Sequence, residues 1–234
     1  MDRSTKILIG LNLIFFIGLR IAAAFGGTID WLGFSLPRPW PWTPLTYMFT
    51  QGSIIELIFN MIWLWCFCRL FLIAGTRKRM IAAYVSGGLG GALMFFLATV
   101  CGLAHGGVLM GASAAIVSMA VCSAMICPQI GVNLLLLGRV TLKTIAIITI
   151  CLSLLPFFEH NPGGGWAHIG GILAGFGCGA AMRHGWLPRF SRKSVKSHQQ
   201  AMTLDSLLDK IRRSGYGSLT KSERQRLIEL SNKL

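Results

Sequence analysis

The chain has 234 residues, of which 53% are hydrophobic and only 13% are charged, and its mean hydropathy is +0.62. This composition excludes an ordinary soluble globular domain and is typical of a polytopic membrane protein. The formal net charge of +14 would suggest nucleic-acid binding in a soluble protein, but the position of the charges is better explained by membrane topology. We therefore expect a lipid bilayer around the chain and no nucleic acid as a partner.

Six apolar segments follow one another along the chain, and each is long enough, or nearly so, to cross the hydrocarbon core. They span residues 7–25, 54–74, 80–103, 111–127, 142–158 and 166–182. The first segment has a second interpretation as a signal peptide ending near Ala22-Ala23-Ala24, but its apolar run is long and five further segments follow. The sequence thus predicts an all-α membrane domain over residues 1–185, a bundle of six transmembrane helices.

The basic residues predict the orientation of this bundle. All of the 22 Lys and Arg residues except Arg20 and Arg38 lie before the first segment, around the second and fourth connections, or after the sixth segment. The positive-inside rule then puts both termini in the cytoplasm, and we expect a multi-pass protein of the bacterial inner membrane. The second, fourth and sixth segments would therefore begin on the external side. Their first polar residues would then lie at the same depth in the membrane, just below the outer surface.

Residues 186–234 form a basic tail that we expect on the cytoplasmic side, near anionic lipid. Leucines at helical spacing from Leu204 predict one helix, and Gly215 breaks the pattern. Thr220 and Glu223 then have the spacing of a capping box before a second helix. The tail is thus predicted to be a small helical hairpin, either a stabilising appendage or a partner-binding element.

Two polar residues near the starts of apolar segments suggest chemistry. Ser113, within Gly111-Ala112-Ser113-Ala114, is the third residue of the fourth segment, and His168 is the third residue of the sixth. A serine hydroxyl becomes a useful nucleophile when a nearby base removes its proton, and histidine is the usual base. Because ionisable residues inside a membrane are rare and generally functional, the pair indicates an intramembrane hydrolase.

Glycines on the sixth segment favour close packing of these two helices. Gly171, Gly175 and Gly179 recur on one face of the sixth segment, and His168 lies on the same face. Small residues on such a face allow another helix backbone to approach closely. We therefore expect close packing against the fourth segment, which would bring the hydroxyl and the imidazole together.

These motifs resemble those of the rhomboid family of intramembrane serine proteases. The likeness covers roughly residues 1 to 185 and rests on Gly111-Ala112-Ser113-Ala114, Ala167-His168-Ile169-Gly170-Gly171, and Leu45-Thr46-Tyr47-Met48-Phe49 leading to Phe59-Asn60-Met61. The resemblance implies a dyad without an acid, in which Ser113 attacks the scissile carbonyl and His168 is the general base. It also implies that Asn60 stabilises the oxyanion together with amide N–H groups near Ser113, and that the substrates are single-pass membrane proteins.

The chain departs from the family pattern at Glu56, where a histidine is usual. An ionised carboxylate would repel a developing oxyanion, so Glu56 supports catalysis only if it is protonated, turned away or paired with a cation. With Val117, which replaces a frequent aromatic residue near His168, it motivates one alternative: an inactive rhomboid-like protein that binds membrane clients. A second alternative is a small transporter or channel in which Glu56 and His168 relay protons.

Other side chains predict no additional chemistry. The seven cysteines fall in apolar stretches without the Cys-x-x-Cys spacing or histidine partners of a metal site. We therefore expect no metal and no cofactor. Glu159 is the acid nearest to His168 in sequence, but a glycine-rich turn separates them, so that a Ser-His-acid triad is not expected.

Overall fold

The structure is a computed structural model that describes residues 1–36, 39–104, 107–134, 138–158, 161–185, 204–220, 223–225 and 227–228. Its internal contacts divide the chain into two compact units, Met1–Arg189 and Phe190–Leu234. The described part of the chain is mostly helical. Every long apolar helix among the described residues belongs to the first unit.

Within its described residues, the first unit contains six helices of twelve or more residues and one short helix. In chain order they are α1 (Arg3–Ala24), the short α2 (Thr43–Thr46), α3 (Ile54–Ala74), α4 (Arg77–Val100), α5 (Ser113–Ile126), α6 (Leu142–Ser153) and α7 (Pro162–Arg183). Each of the six long helices overlaps one of the predicted apolar segments. The first unit is therefore a helical bundle.

Three of these helices are long and apolar enough to cross a membrane, namely α1, α3 up to Ile73, and α4. In contrast, α5 has 14 residues and α6 has 12. At 1.5 Å per residue these helices are only about 21 and 18 Å long, short of a hydrocarbon core of about 30 Å. The count of six membrane spans stays a prediction.

Polar caps determine where several helices begin. The side chains of Asp2, Ser53, Thr76, Thr141 and Asn161 each accept a hydrogen bond from a backbone N–H in the first turn of the helix that follows. In α7 the capping asparagine is followed by Pro162 at the first helical position, where proline is favoured. This helix therefore begins earlier than the predicted segment at residue 166, and His168 lies about two turns inside it.

The centre of the bundle is α5, which contacts α3, α4, α6 and α7. All its residues from Ala114 to Ser123 are buried. Glycines allow this packing, because a Cβ on Gly91 would lie 2.8 Å from the Ala114 Cβ. A buried hydroxyl also crosses between α5 and α4, since Ser118 Oγ donates to the Ala83 carbonyl at 2.8 Å. The first residue of α5 is thus held in the middle of the unit.

In the part of the chain that the structure describes, two small antiparallel sheets accompany the helices, and the all-α prediction did not include them. In the first sheet β1 (Phe34–Ser35) pairs with β2 (Val108–Leu109), with Phe34 opposite Leu109. In the second sheet β3 (Gly131–Leu134) pairs with β4 (Gly138–Thr141) between α5 and α6. Strands this short carry too little alternation of polar and apolar residues to be seen in sequence.

The second unit contains α8 (Leu204–Ser214). The Lys210 ammonium forms an ion pair with the Glu223 carboxylate at 2.8 Å, and it holds the pKa of Glu223 down at about 2. The same carboxylate accepts from the Thr220 backbone N–H at 2.8 Å, while the Glu223 N–H donates to Thr220 Oγ1 at 3.3 Å. This is the geometry of a capping box. Much of the predicted second helix of the hairpin lies outside the described residues, and the hairpin stays a prediction.

Candidate active site

Ser113 is the first residue of α5, and Gly111 fixes the turn before it. Gly111 has a φ of 113°, a conformation that other residues rarely adopt. Its N–H donates to the carbonyls of Thr50 at 2.9 Å and Tyr47 at 3.2 Å. Because the first N–H groups of a helix have no partner within it, Ser113 lies beside backbone donors and the positive end of the α5 dipole.

The Ser113 hydroxyl lies in hydrogen-bond contact with His168. Ser113 Oγ is 2.7 Å from His168 Nε2, and His168 Nδ1 is 2.8 Å from the carbonyl oxygen of Ser153. A carbonyl oxygen can only accept, so Nδ1 carries the hydrogen and, in the neutral ring, Nε2 accepts from the hydroxyl. The contact therefore has the direction that deprotonation of Ser113 requires.

The group that orients the imidazole is the backbone of the last residue of α6. The final carbonyls of a helix lack intrahelical partners and carry its negative dipole end. The Ser153 carbonyl can thus stabilise an imidazolium without a carboxylate. Glu159 lies outside the described residues. Val117 is buried and lines one cavity together with Ser113 and His168.

Glycines of α7 allow α5 to approach as closely as it does. A Cβ on Gly171 would overlap the Ala114 carbonyl oxygen, and a Cβ on Gly175 would lie 2.8 Å from the Ser118 carbonyl oxygen. Further along, a Cβ on Gly179 would lie 2.6 Å from the Met125 Cβ. The predicted glycine face is therefore turned towards α5 along its whole length.

Three polar atoms surround the side-chain position that Gly111 leaves empty. A Cβ there would lie 2.6 Å from Glu56 Oε1, 3.7 Å from Ser113 Oγ and 3.8 Å from Asn60 Nδ2. Glu56 Oε2 accepts from the Gly52 N–H at 2.9 Å. Among the described residues no cation forms an ion pair with Glu56. The structure thus brings Glu56, Asn60 and Gly111 around the hydroxyl, with one carboxylate oxygen directed at the same space.

A buried chain of amides extends from Asn60 to the first helix. Asn60 Nδ2 donates to Gln51 Oε1 at 2.7 Å, and Gln51 Nε2 donates to Asn12 Oδ1 at 2.9 Å. Asn12 Nδ2 then donates to the Leu8 carbonyl at 2.9 Å. Gln51 and Asn12 are completely buried, and Asn60 is 8% exposed. The second hydrogen of Asn60 Nδ2 remains available to another acceptor.

Two cavities meet at the Ser113 and His168 side chains. One, of about 150 Å³, is walled mainly by apolar side chains of α3, α5 and α6, including Trp63 and Leu152. The other, of about 180 Å³, is lined by Glu56, by Gly111 and its neighbours, and by residues of α7. A third, of about 410 Å³, also has Glu56 in its wall, beside β2 and the start of α7. An extended chain passing Ser113 would find space on both sides.

Sequence reasoning missed Ser153, Gln51 and Asn12. Ser153 acts through its backbone, which no residue type reveals. The two amides had a readable signal, because polar side chains within or beside apolar segments need partners, but the sequence does not show which groups pair. Among the described residues, no group of three or more His, Cys, Asp or Glu side chains is placed to hold a metal ion.

Comparison with known families gives two matches. Residues 39–185 match a family model described as a Rhomboid domain. Residues 191–233 match a second model, described as a family of unknown function (DUF6576). No curated protein matches the chain. The first match covers more than half of the 234 residues and includes Asn60, Ser113 and His168, whereas α1 with Asn12 precedes it.

Proposed function

Because the chain belongs to the rhomboid family, we propose that it is an intramembrane serine endopeptidase that cleaves single-pass membrane proteins through Ser113 and His168. The observation that carries this proposal is the 2.7 Å contact between Ser113 Oγ and His168 Nε2, with Nδ1 held by the Ser153 carbonyl at 2.8 Å. A base that is within reach of the nucleophile and oriented by a third group is the arrangement that covalent catalysis requires.

In the proposed reaction Ser113 Oγ attacks the scissile carbonyl carbon while its proton moves to His168 Nε2. The Ser153 carbonyl and the C-terminal end of α6 stabilise the resulting imidazolium. His168 then gives the proton to the leaving amine as the C–N bond breaks, which leaves an acyl ester on Ser113. Water attacks this ester while His168 takes its proton as the base, and His168 returns that proton to Ser113 Oγ as the carboxylic acid product leaves.

The oxyanion of the tetrahedral intermediate needs donors on the side of Gly111. Asn60 Nδ2 supplies one through its second hydrogen, and the unpaired N–H groups at the start of α5 supply others. Gln51 and Asn12 act as positioning residues, because their hydrogen bonds fix the Asn60 amide plane. Donors held in advance cost no reorganisation when the charge develops.

The test is cleavage of a membrane-spanning model substrate in proteoliposomes by the wild type, Ser113→Ala and His168→Ala. Either substitution should lower the rate by about 10³-fold or more, since each removes an essential part of one unit. Full activity of Ser113→Ala would contradict the proposal. Ion flux that persists in Ser113→Ala liposomes would instead support a transporter, and a folded wild type without any cleavage would favour the inactive, client-binding alternative.

A further inference from the structure

A cavity of about 380 Å³ lies between α5, α6 and α7. Its wall is mostly apolar and includes Met125, Ile147 and Phe176. Two cationic side chains, Lys143 and Arg183, complete the lining. Ile147 is 51% exposed and Phe176 is 44% exposed, so the cavity opens on the outer surface of the bundle.

This cavity lies at the opposite end of the bundle from the Ser113 hydroxyl. Lys143 is the second residue of α6, whose last residue, Ser153, holds the imidazole. Arg183 is the last residue of α7. Since α5 has 14 residues, the two sites are separated by about 20 Å along the helix axes. The cavity is therefore not part of the proposed active site.

No carboxylate in the described part of the chain pairs with either cation. Both side chains are exposed, and among the described residues neither forms a side-chain hydrogen bond or an ion pair. Two positive charges at the mouth of one apolar cavity repel each other, and an anion between them would offset this repulsion by attracting both. The guanidinium offers a planar pair of donors for phosphate, and the ammonium adds a compact positive charge.

We propose that this cavity binds an anionic phospholipid, with the phosphate between Lys143 and Arg183 and one acyl chain against the apolar wall. An acyl chain gains free energy by covering apolar surface that water would otherwise wet. A lipid with net negative charge is favoured over a zwitterionic lipid, because the ammonium group of the zwitterionic headgroup would lie close to two cations. The site goes beyond the proposed protease activity and does not depend on it.

The experiment is a native mass-spectrometry titration of the full-length protein in detergent. The ligands are phosphatidylglycerol, phosphatidylcholine with the same acyl chains, and glycerol phosphate, which has the anion but no chain. The double variant Lys143→Gln/Arg183→Gln removes both cations from the cavity. The matched control, Arg3→Gln/Lys6→Gln, also removes two exposed positive charges, but from the start of α1 and not from the cavity. The start of α1 lies beside the start of α4, because Asp2 forms an ion pair with Arg77.

The site predicts that phosphatidylglycerol binds the wild type about 10-fold more tightly than phosphatidylcholine, and that the cavity variant loses this preference by about 10-fold. The control variant should change the affinity by less than about 2-fold. Equal binding of the two lipids, or an equal loss in the control, would overturn the proposal. Glycerol phosphate binding as tightly as the lipid would overturn it too, since the cavity would then recognise phosphate alone.

Discussion

Replacing Gln51 with leucine should slow catalysis without touching the nucleophile or the base. Gln51 is completely buried and joins Asn60 Nδ2 at 2.7 Å to Asn12 Oδ1 at 2.9 Å. Leucine has similar volume but cannot form either hydrogen bond. The Asn60 amide then loses the partner that fixes its plane, and its donor no longer stays directed at the oxyanion.

The magnitude follows from what the two hydrogen bonds hold in place. Loss of an entire oxyanion donor costs about 10²- to 10³-fold in kcat, so that Asn60→Ala sets the upper bound. Gln51→Leu leaves this donor present but unrestrained, and we expect kcat to fall by about 10- to 100-fold with little change in KM. Two buried polar groups left without partners should also lower the free energy of unfolding by about 2–6 kcal/mol.

A double-mutant cycle separates positioning from simple destabilisation. If Gln51 acts through Asn60, Gln51→Leu should have little further effect on kcat in the Asn60→Ala background. Thr5→Val is the control, because Thr5 is another buried polar residue, in the first turn of α1 and seven positions before Asn12; it should change stability but not kcat. If the reductions of kcat by Gln51→Leu and Asn60→Ala instead multiply in the double variant, Gln51 does not act through Asn60.

Three further predictions concern packing and charge. Gly171→Ala should lower activity by about 10-fold or more and destabilise the fold by about 1–3 kcal/mol, because the added Cβ would displace the Ala114 backbone. Cleavage and thermal-unfolding assays measure both effects. Gly177→Ala is the neutral control, since a Cβ at Gly177 would have no atom within 4 Å. Glu56→Gln should accelerate cleavage by about 10-fold, because it removes a carboxylate charge facing the oxyanion; slower cleavage would show that the carboxyl group takes part. Lys210 lowers the pKa of Glu223 from 4.5 to about 2. The ionised Glu223 carboxylate should therefore stabilise the second unit above pH 4.5, and this stabilisation should be lost as the pH falls towards 2 and the carboxylate is protonated. Glu223→Gln should therefore speed hydrogen exchange in α8 of the full chain at neutral pH but not near pH 2, and equal exchange at neutral pH would contradict this.

The helices and the principal contact of the site were predictable because their signals are local. Apolar runs of membrane length mark the helices, and the phase of the glycines relative to His168 indicates which face of α7 meets α5. The early start of α7 was missed because its first turn contains three glycines, which have low helix propensity. Asn161 and Pro162 together were the readable signal for that start.

The surroundings of the dyad were not predictable from sequence. His168 is oriented by a backbone carbonyl, and every residue has one, so nothing in the sequence distinguishes Ser153. The pairing of Gln51 with Asn12 joins α1 to the loop before α3, a contact between residues 39 positions apart. Local patterns show that such amides need partners, but only the packed fold determines which ones they find.

The central claim is that Ser113 is a nucleophile activated by His168, and covalent labelling tests it most directly. A fluorophosphonate probe should react with the folded wild type and add its mass to the peptide containing Ser113. Labelling should be absent in Ser113→Ala and should fall by about 10³-fold in His168→Ala. A folded wild type that the probe does not label, or a Ser113→Ala variant that is labelled as rapidly as the wild type, would contradict the account.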